Sequence, residues 1–222
     1  MMRNEILFNL SLAACLAGTL CVTAASAAFA SPKAADAAAD QRRDQGPGWR
    51  DIATDQDRLR IRGWRSTWME GLRAARRDHA AEIARAGALL DPDSALLRPE
   101  PPAGEYRCRT IKIGSQSDGM LDWIAYPDFR CRVRRRGGVL TFTRMDGSQR
   151  PIGRIYPDGP RRMIFLGSMQ LGDERQVLPY GTDSQRDMAG ILERVGERQW
   201  RLVFPRPAFE SIIDVVELVP AG

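Results

Sequence analysis

The chain has 222 residues, with 33 lysines and arginines against 28 acidic residues, for a net charge of +5. One histidine and four cysteines leave little material for histidine-based catalysis or a metal cluster. The acidic residues are spread along the chain and no aromatic-basic interleaving occurs, so the profile is not that of a nucleic-acid binder.

The N-terminus reads as a signal peptide over residues 1–30. Arg3 supplies the positive charge, Ile6 to Val22 is apolar, and Ala25-Ser26-Ala27 and Ala28-Phe29-Ala30 both fit the small-x-small cleavage rule. A second reading exists: Leu12-Ala13-Ala14-Cys15 matches the bacterial lipobox, which would leave a lipoprotein anchored through Cys15. Residues 31–48 are mostly Ala, Asp, Gln, Pro and Gly, a composition that buries no core and predicts a flexible linker. The remaining 49–222 is long enough for one domain with a sizeable core.

Helical periodicity comes first in that domain. Ile61, Trp64, Trp68, Leu72, Ala75, His79, Ile83, Ala86 and Leu90 recur by threes and fours, one apolar stripe on a helix spanning Asp51 to Leu90. Thr54 and Asp57 have the spacing of a capping box, and Asp91-Pro92 stops the helix. A straight helix of that length would overrun a small barrel, so a break is expected near Gly71 or Gly87. Arg58, Arg62, Arg65, Arg73, Arg76 and Arg77 fall on one flank of the stripe, a candidate contact for anionic lipid or a plain solvated face.

After a Pro-rich connector, eight strands are predicted, at about 105–113, 128–136, 138–145, 149–156, 161–169, 187–195, 198–204 and 210–219. Turn chemistry separates most of them, as in Arg136-Gly137-Gly138 and Asp146-Gly147. Strands in close succession with no intervening helix suggest an up-and-down barrel. The expected fold is mainly β with α: an N-terminal amphipathic helix packed on an eight-stranded antiparallel, lipocalin-like β-barrel. Cys108 and Cys131 lie on two such strands, each with apolar neighbours two residues away, and are expected to form one disulfide inside an exported chain. Arg107, Arg109, Arg130, Arg132 and Arg134 alternate with the cysteines and predict a basic patch on the barrel's outer surface.

Two connections are long, 115–127 and 171–186, and long loops at a barrel mouth carry binding groups. The candidate ligand-binding residues are Trp123 and Tyr126 in the first and Tyr180, Asp183 and Arg186 in the second. Phe142, Phe165, Trp200 and Phe204 would line a barrel cavity. No Gly-x-Ser-x-Gly elbow, phosphate-cradling glycine loop or His-Glu-x-x-His occurs. The loop carboxylates Asp173-Glu174 and Asp183 with Asp187 are the only pairs placed for glycoside chemistry, and such pairs are common in solvated loops. The chain is therefore read as non-enzymatic, with no cofactor and no metal.

The order of Trp49, Asp57-Arg58-Leu59, Gly104-x-Tyr106-Arg107-Cys108-Arg109, Ile111-x-Ile113-Gly114 and Phe129-x-Cys131 sets a pattern that continues. Tyr180-Gly181, Arg186-Asp187, Gly190, Trp200-Arg201-Leu202 and Pro205-x-Pro207 complete it. It resembles an exported bacterial family, the domain of unknown function 4893, over roughly 49–220. The resemblance implies an envelope protein and brings no catalytic residues. More loosely, the Tyr-x-Cys strand and barrel look like small periplasmic inhibitors of lysozyme or metalloprotease, and like lipocalins. The expected function is a periplasmic or secreted binding module that engages an envelope protein, inhibitor-like in character. The alternative is a carrier of a small apolar ligand or lipid in the barrel cavity.

Overall fold

The computed structural model of the protein describes residues 47–172 and 174–222. The readings of 1–30 as signal peptide, of Cys15 as a lipid anchor and of nearly all of 31–48 as linker lie outside the described residues.

Nine strands alternate side chains between an interior and an outer face: β1 (Gly104–Ser115), β2 (Trp123–Ala125), β3 (Phe129–Arg136), β4 (Val139–Arg144), β5 (Gln149–Pro157), β6 (Arg162–Leu171), β7 (Asp187–Gly196), β8 (Gln199–Pro205) and β9 (Ser211–Pro220). All neighbours are antiparallel, and β1 pairs with β9 from Tyr106–Pro220 to Ser115–Ser211, closing β1 and β3–β9 into an eight-stranded barrel. Closure removes the exposed edges that an open sheet would leave. The eight predicted strands all appear. The ninth, β2, lies inside what reads as the first long loop, and pairs only with the far half of β1, from Ile111–Ala125 to Ile113–Trp123. The near half of β1 pairs with β3, from Gly104–Val133 to Cys108–Phe129. Cys108 and Cys131 are disulfide-bonded inside the barrel at that branch, with Cα atoms 6.0 Å apart.

One end of the barrel is packed solid. Phe142 meets Phe165 edge-on at 6.0 Å, Phe165 meets Phe204 at 5.6 Å, and Tyr106 meets Trp200 at 6.2 Å. Gly153 and Gly167 are cross-strand partners beneath the Phe165 ring, and a Cβ on either would come within 2.7 Å of Phe165 Cζ. The two glycines make room for the ring and let β5 and β6 approach it. The expectation that Phe142, Phe165 and Trp200 line a ligand cavity is thus corrected: they fill the space themselves. Phe204, at the upper edge of this plug, is the one that faces open space.

Helices cover part of the outer face. They are α1 (Trp49–Ile52), α2 (Asp55–Arg62) and α3 (Trp64–Ala86), followed by a 3-10 turn at Gly87–Leu89. Trp68, Leu72, Ala75 and Ile83 of α3 pack on Ile111, Ile113, Val203, Ile213 and Val215 of β1, β8 and β9. Burying each large side chain stabilises the fold by roughly 1.5–3 kcal/mol. Trp49, Ala53 and Ile61 pack on Ile164, Leu166, Ala189 and Ile191 of β6 and β7. The apolar stripe is therefore real, and the expected break at Gly87 is present, where α3 ends with φ +52°, but further breaks precede it. The chain turns at Ala53–Thr54 and again at Gly63, and α3 kinks at His79, whose φ of −126° is non-helical. His79 stacks on Trp123 at 6.0 Å. Gly71 is not a break. It is the point of closest approach to β1, where an added Cβ would stand 3.1 Å from the Ile113 carbonyl oxygen.

The basic patch is also corrected. Arg107 pairs with Asp128, Arg109 with Glu217, Arg130 with Asp146 and Arg132 with Glu105, so most of its charge is neutralised locally.

Candidate functional site

Above the aromatic plug the barrel interior turns polar. Alternation that places Cys108 inward on β1 places Thr110 and Lys112 inward too, and on β9 does the same for Asp214, Val216 and Leu218. Lys112 and Asp214 are direct register partners. Lys112 Nζ lies 3.8 Å from Asp214 Oδ2 and 2.5 Å from Glu210 Oε2. Ser211 donates its hydroxyl to Asp214 Oδ1. Burial alone would lower the Lys112 pKa, but the carboxylates of Asp214 and Glu210 outweigh it and hold the ammonium above the ordinary lysine value. Burial pushes Asp214 above the usual carboxylate range, with Lys112 pulling the other way.

Two cavities, of about 150 Å³ and 110 Å³, adjoin at this ion pair and share Lys112, Gln149, Met169, Met188, Phe204 and Asp214 in their walls. The first opens on the side of the barrel where β3 and β4 stop short of β1 and β5, and Tyr126, Arg144 and Ser148 close the gap. The Arg144 guanidinium sits 3.8 Å from the Phe129 ring centroid, and burial lowers its pKa. The second cavity opens at the barrel mouth, between Arg60 of α2, Arg186 and Asp187 at the start of β7, and the β8–β9 loop from Arg206 to Phe209.

The loop candidates divide between this site and the scaffold. Tyr126 and Arg186 reach the cavities, one in each. Arg186 is held by Glu174, whose pKa that hydrogen bond lowers. Trp123 is half-buried on β2 and packs against α3 and His79. Asp183 turns the chain into β7: its carboxylate accepts from the Gln185 amide at 2.9 Å, and its carbonyl accepts from Arg186 and Asp187. Tyr180 completes the cap of α2. The Thr54 hydroxyl accepts from the Asp57 amide, as a capping box requires, but the Thr54 amide donates to Tyr180 Oη at 3.1 Å, and Tyr180 in turn donates to Asp57 Oδ2 at 2.5 Å. Burial raises the Tyr180 pKa, so the hydroxyl stays a donor.

Lys112, Asp214 and Glu210 escaped the sequence reading. A signal was present: Asp214 interrupts the apolar run Ile212–Val216, and Lys112 is one of two lysines in the chain. A charge inside an apolar strand implies a buried partner.

Among the described residues, no group of three or more His, Cys, Asp or Glu could hold a metal ion. No curated protein and no solved structure matches the chain. Residues 49–218, from α1 through β9, match the family described as a domain of unknown function (DUF4893), and the chain belongs to that family.

Proposed function

We propose that the protein is a non-enzymatic binding module of the cell envelope whose site is the barrel mouth, and that it takes a small amphipathic ligand there. The observation that carries this reading is a barrel packed solid at one end with two adjoining cavities at the other, walled by Met169, Met188 and Phe204 around a buried, ion-paired lysine. An apolar wall with a few converging polar groups is the usual make-up of a ligand site. Cavities of about 110 and 150 Å³ fall below the roughly 300–1,000 Å³ of sites for drug-sized ligands, which favours a small ligand over a lipid. The disulfide supports an oxidising compartment, and the apolar N-terminal stretch supports export to it. The non-enzymatic reading is supported by the site's chemistry. Lys112 is engaged by two carboxylates, and the single histidine stacks on Trp123 outside the barrel.

Native mass spectrometry of the full chain, purified without denaturation from its own host, tests the reading. We expect an additional small non-protein mass that Met169→Trp, projecting into both cavities, removes. A bare mass, together with a melting temperature unmoved by a panel of small amphiphiles, sinks it. A second reading, contact with an envelope protein, is favoured by exposed Met120, Leu121 and Phe209 on loops that Gln116 joins by donating to the Pro207 and Ser211 carbonyls. A bare mass with a co-purifying protein that Leu121→Asp releases supports that reading instead.

A further inference from the structure

The two carboxylates on Lys112 are held very differently. Asp214 is behind the ammonium, buried, and fixed by Ser211 within β9. Glu210 is about one-third exposed and closer. It belongs to the β8–β9 loop, and that loop is bent at both ends by residues in the left-handed region: Arg206 at φ +46° and Glu210 at φ +73°. Neither is a glycine, and a side chain in that region carries a conformational cost that persists only where the surroundings impose it. What holds Glu210 is the Lys112 ion pair, together with its own carbonyl accepting from the Gln116 amide. Arg206 ties the other end to Glu70 of α3 at 2.5 Å. The loop roofs the mouth cavity, and Phe209 at its tip is more than half exposed.

We propose that the ligand is a small carboxylate with an apolar or aromatic body, and that its carboxylate displaces that of Glu210 from Lys112. The inference rests on the barrel mouth being a binding site. Lys112 has three donors and lines both cavities, and Glu210, which lines neither, holds one of those donors with the group a ligand would bring. Arg60, Arg186 and Arg206 also border the mouth cavity, each already paired with a carboxylate, Asp57, Glu174 and Glu70 respectively, so the cation an anion would meet there is Lys112. The shared walls supply Met169, Met188 and Phe204 for the body, and the side cavity that adjoins the mouth at Lys112, of about 150 Å³, is the size that holds a benzene ring. In the free protein Glu210 thus acts as an internal competitor. Its release frees one end of the loop whose Phe209 already lines the mouth cavity.

Calorimetric titration of the full chain with benzoate and with its neutral isostere benzamide tests this. The variants are Glu210→Gln, and Lys112→Met combined with Asp214→Asn, which removes the buried pair together and leaves only the partly exposed Glu210 without its partner. Wild type is expected to prefer benzoate over benzamide by roughly tenfold or more, the scale of a charge-assisted hydrogen bond. Glu210→Gln is expected to tighten benzoate by a similar factor, because the competitor is gone. The double variant is expected to lose the preference. Glu210 is partly exposed, so its variant keeps the fold, which a melting curve verifies. Equal affinity for the two probes, weaker benzoate binding by Glu210→Gln, or no benzoate binding by either protein each overturns the carboxylate assignment. The wider reading is judged separately: a neutral molecule bound in the native mass spectrum keeps the mouth as a site while removing this inference.

Discussion

Arg201 has no exposed surface, yet its guanidinium is fully engaged. It donates to Glu193 Oε2 at 2.9 and 2.7 Å and to the carbonyls of Ala88, Leu89 and Asp91, and its Cζ lies 4.6 Å from the Trp68 ring centroid. One side chain therefore satisfies the carbonyls where the 3-10 turn ends and fastens that turn to β7 and β8. Burial raises the Glu193 pKa, with Arg201 opposing it, so Glu193 depends on its partner to stay ionised. Breaking a buried pair from one side costs about 3–5 kcal/mol, because a bare charge remains. Arg201→Met should lose that much in urea denaturation, and adding Glu193→Leu should restore most of it; a single-variant loss no larger than that of an exposed arginine would mean the pair is not holding the turn. In the sequence, Arg201 alternates with Trp200, Leu202 and Phe204 and so falls on the opposite face of the strand. Strand alternation reports two faces, and here both are covered: one by the barrel interior, the other by a helix end arriving from 113 residues earlier. The same limit hid Lys112 and Asp214. Tyr126 and Arg186 were legible because a long loop at a barrel end is recognisable without knowing the register.

At the scale of elements, the strands were legible nearly to the residue, since β-hairpin turns and period-two patterning are local signals. The short strand β2 was not, because three residues carry no periodicity of their own and pair only after β1 exists. The helix break at Gly87 was legible, but the one offered at Gly71 was misplaced for a related reason. Glycine in a helix reads as a weak point, yet Gly71 is where α3 comes down on the barrel. The Cα of Gly71 would stand 3.0 Å from a Cβ added at Gly114, and a Cβ at Gly71 itself would meet Ile213 Cγ2 at 3.0 Å. The two glycines are what let helix and strand touch. On an exposed helix, replacing glycine with a residue bearing a Cβ gains up to about 1 kcal/mol. Here the sign reverses, because the Ile113 carbonyl at 3.1 Å is backbone and cannot rotate away. Gly71→Val should cost roughly 1–3 kcal/mol, as overpacking does, and lower the melting temperature; an unchanged or raised one would show that α3 is not seated on β1 as closely as described.

At the scale of the whole molecule, the barrel is two different structures stacked on one sheet. Below Cys108 it is a closed, aromatic-filled cylinder in which β1 is flanked by β3 and β9. Above it, β1 exchanges β3 for β2, the wall opens toward the turn after β4, and the interior holds the cavities. The disulfide sits at the level where one regime becomes the other, bonding β1 to β3 next to their last register pair, Cys108–Phe129. It closes a loop with a sequence separation of 23 that contains β2, Tyr126 and the first long connection. Constraining such a loop in the unfolded chain stabilises the fold by about 3 kcal/mol. Its placement adds a local expectation to the global one. With Cys108→Ala and Cys131→Ala together, the packed lower barrel retains its full hydrogen-bond ladder, whereas the 115–128 segment loses its only covalent tie next to the branch. Hydrogen exchange should therefore accelerate most in β2 and the segment around it, with β6–β8 following only as far as the global loss of about 3 kcal/mol dictates. Uniform acceleration through all strands would mean that the bond acts on the unfolded chain alone. Faster exchange confined to 115–128 would mean that it also holds the side wall of the mouth shut, and the variant's cavities would then admit small ligands more quickly than the wild type's.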